Sequence, residues 1–202
     1  VRQLLAIERT LLNFLQRLSG VATVTRTYVD AVRGTRVRIC DTRKTIPGWR
    51  QLDKYAVRCG GGKNHRMGLH DAVLIKDSHL ARIELHRLRS AVMDMVSATA
   101  RLSPPPLFVE FEVDTLEQFE RIVDIPEIDI ILLDNFTLAD MRRAVSRRNA
   151  LGLLGKLQLE ASGGVHLDSV AAIAATGVDR IAVGALTHSV RALDIALDIE
   201  TL

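Results

Sequence analysis

The stretch Val37–Gly48, VRICDTRKTIPG, is a short strand followed by a polar turn, the unit that the rest of the chain repeats. Its mainly apolar start, Val37–Cys40, is typical of a buried strand. Arg43 and Lys44 lie at the exit of that strand, and Pro47-Gly48 predicts a sharp turn directly after them. Two adjacent cations in this place favour a site for anionic groups, although a charged surface turn has the same composition.

The composition predicts one α/β domain with a sizeable core. The chain has 202 residues, of which 48% are hydrophobic and 25% charged, an ordinary globular balance. The formal net charge of +3 suits an anionic small molecule or a nucleic acid. Aromatic residues make up only 4% of the chain, so platforms on which bases could stack are scarce. A nucleic-acid binder is therefore the less favoured of these two classes.

Two cysteines, Cys40 and Cys59, are too few for a disulfide framework and indicate a reducing compartment. No apolar run has the length of a membrane span, and no signal peptide is visible. These features predict a cytoplasmic location.

The chain begins at Val1 without a methionine, and its first residues are helical in pattern. Leucines at helical spacing predict a helix over about residues 3–18, which Ser19-Gly20 would end, and a second helix over Val21–Val32. We therefore divide the chain into a helical segment, 1–35, and a β/α domain, 36–202. We also expect that an N-terminal part of the protein is missing.

Short apolar runs alternate with helical patterns through the remainder of the chain. The predicted strands are Val37–Cys40, Ala72–Ile75, Leu107–Phe111, Ile130–Leu133, Leu157–Leu159 and Ile181–Val183. The predicted helices are Trp49–Arg58, Ala81–Arg101, Thr115–Val123, Thr137–Arg148, Leu167–Ala175 and Val190–Asp198. Six such alternations indicate an α/β fold with about six parallel strands, either doubly wound or closed as a barrel.

Polar or glycine residues follow the predicted strands, where a barrel would gather them at one mouth. These residues are Arg43, Lys44, Lys76, Glu112, Asp134, Ser162, Gly163, Gly164, Gly184 and His188. The convergence favours a functional site over incidental polarity of the loops.

Glycine-rich loops follow the last two predicted strands. Ser162-Gly163-Gly164 precedes a helix, so backbone N–H groups and the helix N-terminus could together hold a phosphate. Gly184 follows the next strand, and paired late loops form the phosphate site of many barrels. Tight turns that require small residues are the structural alternative.

The segment Gly60–Arg66, GGGKNHR, joins a flexible loop to a cationic cluster. The guanidinium of Arg66 suits a carboxylate, and His65 could add a hydrogen bond. A solvated loop without a role is equally compatible with this composition. The segment is not a P-loop, because no Gly-Lys-Ser/Thr opens a helix.

Glu112 and Asp134 are carboxylates at neighbouring strand ends within a basic mouth. They could bind Mg²⁺, orient the hydroxyls of a sugar, or pair with Lys44 and Lys76. No His/Cys cluster has zinc spacing, which favours an oxygen-bound metal. Arg9 lies at the edge of the first helix's apolar stripe and by itself indicates only a surface residue.

Seven motifs in register resemble the quinolinate phosphoribosyltransferase family, and together they cover nearly the whole chain. The motifs are Asp41–Thr45, Lys54–Gly62 with Asn64–Arg66, Leu74–Asp77, Glu110–Val113, Leu132–Asn135, Leu159–Gly164 and Val183–Ser189. The resemblance implies an incomplete TIM-like β/α barrel. It also implies the synthesis of nicotinate mononucleotide, pyrophosphate and CO₂ from quinolinate and phosphoribosyl pyrophosphate, with Mg²⁺, in NAD biosynthesis.

The resemblance also implies roles for individual residues. Arg43, His65, Arg66 and Lys76 would hold the carboxylates of quinolinate, and Lys44 would lie beside the pyrophosphate. Glu112 and Asp134 would engage the ribose hydroxyls and the metal. Ser162, Gly163, Gly164 and Gly184 would bind the 5-phosphate, with His188 nearby. Arg9 matches an arginine that family members contribute to a neighbouring subunit, which implies a homodimer or a higher homo-oligomer.

Family members carry an N-terminal α/β sandwich domain that this chain largely lacks. We therefore expect the 202 residues alone to have weak activity. A related enzyme acting on nicotinate, a molybdenum-transport-associated relative and a non-catalytic phosphosugar-binding barrel remain as alternatives.

Overall fold

Six strands and eight helices follow one another along residues 2–198, the part of the chain that this computed structural model describes. The strands are β1 (Arg38–Cys40), β2 (Val73–Ile75), β3 (Val109–Val113), β4 (Ile130–Asp134), β5 (Gln158–Ser162) and β6 (Arg180–Ala182). The helices are α1 (Arg2–Ala31), α2 (Arg50–Cys59), α3 (Asp77–Leu80), α4 (Leu85–Thr99), α5 (Leu116–Ile122), α6 (Leu138–Ala150), α7 (Leu167–Ala174) and α8 (Ala185–His188).

The strands form one sheet in the order β1-β6-β5-β4-β3-β2, and every pair is parallel. The order follows the chain from β2 to β6, and β1 then adds beyond β6. This is the order of a barrel opened between β1 and β2, because a doubly wound sheet would reverse direction within the sheet. The predicted α/β fold with six parallel strands in an incomplete barrel is confirmed.

The two faces of the strands differ sharply in chemistry. Phe111, Ile131, Leu133, Leu159 and Ile181 are completely buried and belong to the cluster that packs against the helices. Their neighbours in the chain point to the opposite face, since side chains alternate along a strand. That inner face carries the polar residues of β3, β4 and β5.

Local signals explain where two of the helices begin. The Thr115 hydroxyl accepts a hydrogen bond from the N–H of Gln118 at the start of α5, and the Thr137 hydroxyl accepts one from Asp140 at the start of α6. Threonine is a favoured residue at such a helix start. Each helix therefore starts directly after the strand that delivers inner-face residues.

All six predicted strands form within three residues of their predicted limits, but two helix predictions are wrong. Ser19-Gly20 does not end the first helix, which continues as α1 to Ala31. The predicted helix over Ala81–Arg101 forms as α4, but it begins four residues later, at Leu85, and is preceded by the short α3. The predicted helix over Val190–Asp198 does not form.

The segment after α8 is extended because it packs against α1. The N–H of Leu193 donates to the carbonyl of Gln16, and the Gln16 side chain donates to the carbonyl of Ile195, both across α1. A Cβ on Gly20 would lie 2.3 Å from the carbonyl oxygen of Arg191. Gly20 is therefore a point of close approach rather than a helix end.

No helix within residues 2–198 combines the length and the apolar character that crossing a bilayer needs.

Candidate active site

A cavity of about 400 Å³ opens at the carboxyl ends of the strands. Its lining includes eight of the residues predicted as site residues, namely Arg43, Lys44, His65, Arg66, Lys76, Glu112, Asp134 and Ser162. The remaining lining residues are Thr42, Leu74, Leu132, Glu160 and Ala182. The structure thus brings together side chains that the sequence separates by more than a hundred positions.

The turn after β1 is held in place by a buried carboxylate, Asp41. It forms an ion pair with Lys54 of α2 and accepts hydrogen bonds from the Asn64 side chain at 2.6 Å and the His65 N–H at 2.8 Å. Burial raises the pKa of Asp41, although the charge of Lys54 opposes this. Asp41 therefore fixes the turn that carries Arg43 against the loop that carries His65 and Arg66.

Arg43 and Arg66 form the cationic side of the cavity. The Arg66 guanidinium donates to the Ala72 carbonyl at 3.2 Å. Burial lowers the pKa of Arg66, and the nearby charge of Arg43 lowers it further, so the two cations are close enough to repel each other. Arg50 ties this side together by donating to the carbonyls of Arg43 and Met67. The repulsion between two cations held at close range would be relieved by an anion that binds between them.

Carboxylates dominate another side of the cavity. Glu112 lies 3.3 Å from the ammonium group of Lys76, and its pKa is raised by burial and by the charges of Asp134 and Asp77. The pKa of Asp114 is raised by burial and by the same two aspartates. One lysine, Lys76, thus lies near four acids, namely Asp77, Glu112, Asp114 and Asp134. This set has an excess of negative charge, which a bound cation can relieve. Oxygen donors of this kind are those that Mg²⁺ prefers.

The glycine loops lie beside the cavity rather than in its lining. Gly163 has a φ of 91° and Gly164 a φ of 55°, both in the left-handed region. A Cβ on Gly184 would lie 2.9 Å from Nε2 of His188 and 3.3 Å from Cδ of Lys44. The absence of a side chain at Gly184 thus lets Lys44 and His188 lie on either side of it. These loops flank the cavity at the ends of β5 and β6.

Arg9 does not lie in the cavity. Its side chain is 72% exposed on α1, with Glu8 at 3.7 Å as its neighbour. Several apolar residues of the same helix are also exposed, namely Leu4, Leu5, Ile7, Leu11 and Leu15. A role for Arg9 in this cavity therefore remains a prediction that requires a second subunit.

A second charged layer, missed in the sequence, lies directly beneath the cavity. Nε2 of His65 lies 2.9 Å from Glu110 and 3.3 Å from Glu160, and Nε of Arg180 lies 2.6 Å from Glu160. The two carboxylates are completely buried. Their separations are those of ion pairs, but their directions fall outside hydrogen-bond geometry. We call these four residues the lower layer.

Strand alternation was the signal that could have revealed the lower layer. Glu110 precedes Glu112 by two positions, and Glu160 precedes Ser162 by two, so each pair must share the inner face. Both glutamates lie within strands, Glu110 in β3 and Glu160 in β5.

The lower layer also alters the expectation for His65. Its Nδ1 accepts a hydrogen bond from the N–H of Arg66 at 2.8 Å, and its Nε2 faces the glutamates. Both nitrogens are thus engaged within the protein in this structure. Burial lowers the pKa of His65, but Glu110 and Glu160 outweigh it and raise the pKa to about 9.

His65, Glu110 and Glu160 have the donor atoms and spacing of a metal site. The guanidinium of Arg180 already lies against Glu160, however, and supplies positive charge to the carboxylates. The acids around Glu112, with their uncompensated charge, are the better candidate for a metal.

The sequence model described as quinolinate phosphoribosyl transferase, C-terminal domain, matches residues 21–198. The chain belongs to the quinolinate phosphoribosyltransferase family. The matched residues, 21–198, include every predicted site residue except Arg9.

Named relatives of the chain agree with this family. The chain is 52% identical to a nicotinate-nucleotide pyrophosphorylase [carboxylating] of Mycobacterium leprae, over 98% of this chain and 66% of the relative. It is 40% identical to a probable enzyme of the same name from Bacillus subtilis, over 97% of this chain and 64% of the relative. A solved nicotinate-nucleotide pyrophosphorylase from Ehrlichia chaffeensis superposes with a TM-score of 0.83 at 43% identity, over 96% of this chain and 66% of that one. This chain therefore spans just under two thirds of the length of these relatives.

Proposed function

We propose that this chain carries the catalytic barrel of an enzyme that transfers a phosphoribosyl group to quinolinate with decarboxylation. The products would be nicotinate mononucleotide, pyrophosphate and CO₂, as part of NAD biosynthesis. The observation that carries the proposal is the cavity itself, which has paired arginines on one side and clustered carboxylates on another. Relatives with the corresponding name support the choice of reaction.

Quinolinate has two carboxylates on one ring, and the cationic side of the cavity matches that charge. Arg43 and Arg66 would hold one carboxylate, because a guanidinium pairs well with a planar anion. Lys76, with His65 in the same wall, would serve the other. Nicotinate, which lacks one carboxylate, would leave part of this positive charge uncompensated.

Phosphoribosyl pyrophosphate would bind across the strand ends toward β5 and β6. Ser162, Gly163, Gly164 and Gly184 would surround its 5-phosphate, with His188 nearby, because glycine backbones can approach an anion closely. Lys44 lies against Gly184 and would meet the pyrophosphate.

Glu112 and Asp134 would hold Mg²⁺, and the excess of acids around them fits that ion. When bound, Mg²⁺ would offset the negative charge of the pyrophosphate.

Displacement of pyrophosphate builds positive charge on the sugar ring. Glu112 and Asp134 would stabilise this charge, and Lys44 would stabilise the departing group. The positive ring nitrogen would then stabilise the electron pair that remains on the ring carbon when CO₂ leaves, and that carbon would take up a proton from solvent. No covalent intermediate with the protein is needed, so positioning and electrostatics carry the catalysis.

We infer that a second copy of the chain completes the site. Arg9 is exposed, and the neighbouring apolar residues of α1 are exposed with it, as expected of a surface that a partner covers. A homodimer that brings Arg9 to the other cavity would add a further cation for quinolinate. We also propose a cytoplasmic location, which the free thiols of Cys40 and Cys59 support.

The test is turnover of quinolinate and of nicotinate by the intact protein that contains this chain, with ultraviolet detection of the nucleotide product. We expect quinolinate to be the preferred acceptor by at least about 100-fold in kcat/KM, since a paired buried charge is difficult to replace. Preference for nicotinate would support the related enzyme instead. Binding of phosphoribosyl pyrophosphate without turnover of either acceptor would support a phosphosugar-binding barrel.

A further inference from the structure

We propose that Glu110 and Glu160 are positioning residues that fix the ring of His65 with a proton on Nε2, and thereby set the geometry of the cationic side of the cavity. The proposal rests on the proposed function for its substrate. It assigns roles to two residues that do not themselves need to touch that substrate.

The first step is the state of the imidazole ring. Nδ1 of His65 accepts a hydrogen bond from the N–H of Arg66 at 2.8 Å, so Nδ1 must present its lone pair. A neutral ring then carries its proton on Nε2. Nε2 faces Glu110 at 2.9 Å and Glu160 at 3.3 Å, and two carboxylates stabilise a proton in that place.

The second step is the packing that limits movement of the ring. The ring of Phe108 meets the His65 ring edge-to-face at a centroid distance of 5.4 Å. The Arg180 guanidinium lies 5.5 Å from the centre of the same phenyl ring. Phe108 thus contacts two members of the lower layer, and Glu160 lies within ion-pair distance of both. His65 is left with little freedom to rotate.

The third step connects the lower layer to the cavity. The backbone of His65 is already fixed, because its N–H donates to Asp41 at 2.8 Å and its carbonyl accepts from Lys54 at 3.0 Å. The ring then determines where the N–H of Arg66 finds its acceptor. If the carboxylates released the ring, Arg66 would lose that acceptor and its guanidinium would shift relative to Arg43.

The charges of the lower layer are consistent with a structural role in fixing the imidazole ring of His65. Glu160 is paired with Arg180, and burial and the charge of Glu160 both raise the pKa of Glu110. Arg180 offsets the charge of Glu160, and the Nε2 proton of His65 faces Glu110, so the layer needs no ion from solvent. The same residues therefore do not form a metal site while Arg180 is in place.

The first experiment reads the ring directly in the intact protein without substrate. Long-range ¹H–¹⁵N correlation spectra recorded above pH 9, where the ring is neutral, distinguish the two tautomers, and a His65→Asn variant assigns the signals. We expect Nε2 of His65 to be protonated in the parent protein, and Glu110→Gln to give a mixture of tautomers. A bare Nε2 in the parent protein would overturn the proposal, whatever the protein's activity.

The second experiment separates positioning from folding. Glu110→Gln should raise the KM for quinolinate about tenfold, because the Nε2 proton of His65 loses one of the two carboxylates that face it. The kcat and the KM for phosphoribosyl pyrophosphate should change by less than about twofold, because neither depends on this side of the cavity. Glu117→Gln, an exposed change on α5, is the matched control and should have no effect.

A milder variant keeps the test decisive if Glu110→Gln does not fold. Glu110→Asp preserves the charge but withdraws it from the ring, and should raise the KM for quinolinate alone by a smaller factor. Equal rises in both KM values, or a fall in kcat alone, would contradict a positioning role. If the parent protein does not turn over quinolinate, the proposed function fails while the tautomer still decides this inference.

Discussion

Two charged layers lie inside the same sheet, and they differ in their access to solvent. All four residues of the lower layer, His65, Glu110, Glu160 and Arg180, are buried, and its two acids are completely so. The upper rim, represented by Lys76, Glu112 and Asp134, opens to the cavity. The same residue types thus serve structure where they are completely buried, as at Glu110, and are proposed to bind ligands where they line the cavity, as at Lys76.

The largest effect is expected from removing a cation of the lower layer. Arg180→Met leaves Glu160 buried without its partner and should lower the free energy of unfolding by about 3–5 kcal/mol. Its matched control is Arg147→Met, which breaks an exposed pair with Glu120 at 2.8 Å and should cost less than about 1 kcal/mol. Urea unfolding measures both.

Equal losses of stability in Arg180→Met and Arg147→Met would show that the buried pair of the lower layer matters no more to stability than an exposed pair. The double change Arg180→Met with Glu160→Leu should restore much of the lost stability, since it removes both charges together.

A rim acid should behave in the opposite way, with a large effect on activity and little on stability. Asp134→Asn should lower kcat/KM about 100-fold, the size expected when one preorganised group is removed from a transition-state site. Its free energy of unfolding should stay within about 0.5 kcal/mol of the parent value, because Asp134 is only partly buried. Steady-state kinetics and urea unfolding on the same preparation test this contrast.

The glycine beside the rim gives a smaller, steric test. Gly163→Ala would place a Cβ 2.1 Å from the side-chain oxygen of Asn135, whereas the corresponding atom on Gly152 would meet nothing within 4 Å. Both glycines have positive φ, so each change should cost about 1–2 kcal/mol from backbone strain. Only Gly163→Ala should also disturb Asn135 and raise the KM for phosphoribosyl pyrophosphate.

Equal KM values for the Gly163→Ala and Gly152→Ala proteins would remove the support for a phosphate loop at Gly163.

The smallest effect concerns the pH dependence of stability at Glu112. Its pKa is raised in the folded protein by burial, then by Asp134 and Asp77, with Lys76 opposing, so ionisation of Glu112 opposes folding. This destabilisation is absent below the usual carboxyl pKa and grows as pH rises through the raised one. Glu112→Gln should therefore raise the melting temperature at neutral pH and lose this advantage in acid.

A melting temperature that falls at neutral pH in the Glu112→Gln protein would indicate that Lys76 outweighs burial. The variant should have low activity in either case, so the expected rise in melting temperature would mean that stability and function change in opposite directions at the rim.

Much of the fold could be predicted because the relevant signals are local. The runs at Ile130–Leu133 and Ile181–Val183 are apolar enough to indicate buried strands without any tertiary information. Val190–Asp198 has a helical pattern in the sequence, yet its hydrogen bonds with Gln16 hold it in a conformation that is not a helix. Propensity was overridden there by a contact with residues far away in the chain.

The rim residues could be predicted because they follow apolar runs in the sequence, whereas the acids of the lower layer lie inside such runs. Residues such as Lys76 and Asp134 follow apolar runs and are visible as strand ends. Glu110 and Glu160 lie inside the strands, and charged residues are seldom completely buried, so composition alone favours placing them outside. Their burial depends on His65 and Arg180, which arrive from other parts of the chain.

The extended segment after α8 has a consequence for synthesis on the ribosome. Arg17 donates to the carbonyl of Thr187, and Gln16 to that of Ile195, acceptors 170 and 179 positions downstream. These bonds cannot form until almost all of the chain has been translated, so α1 must wait, incompletely docked, while the sheet assembles. The exposed leucines of α1 would favour binding of chaperones to the nascent helix during that interval.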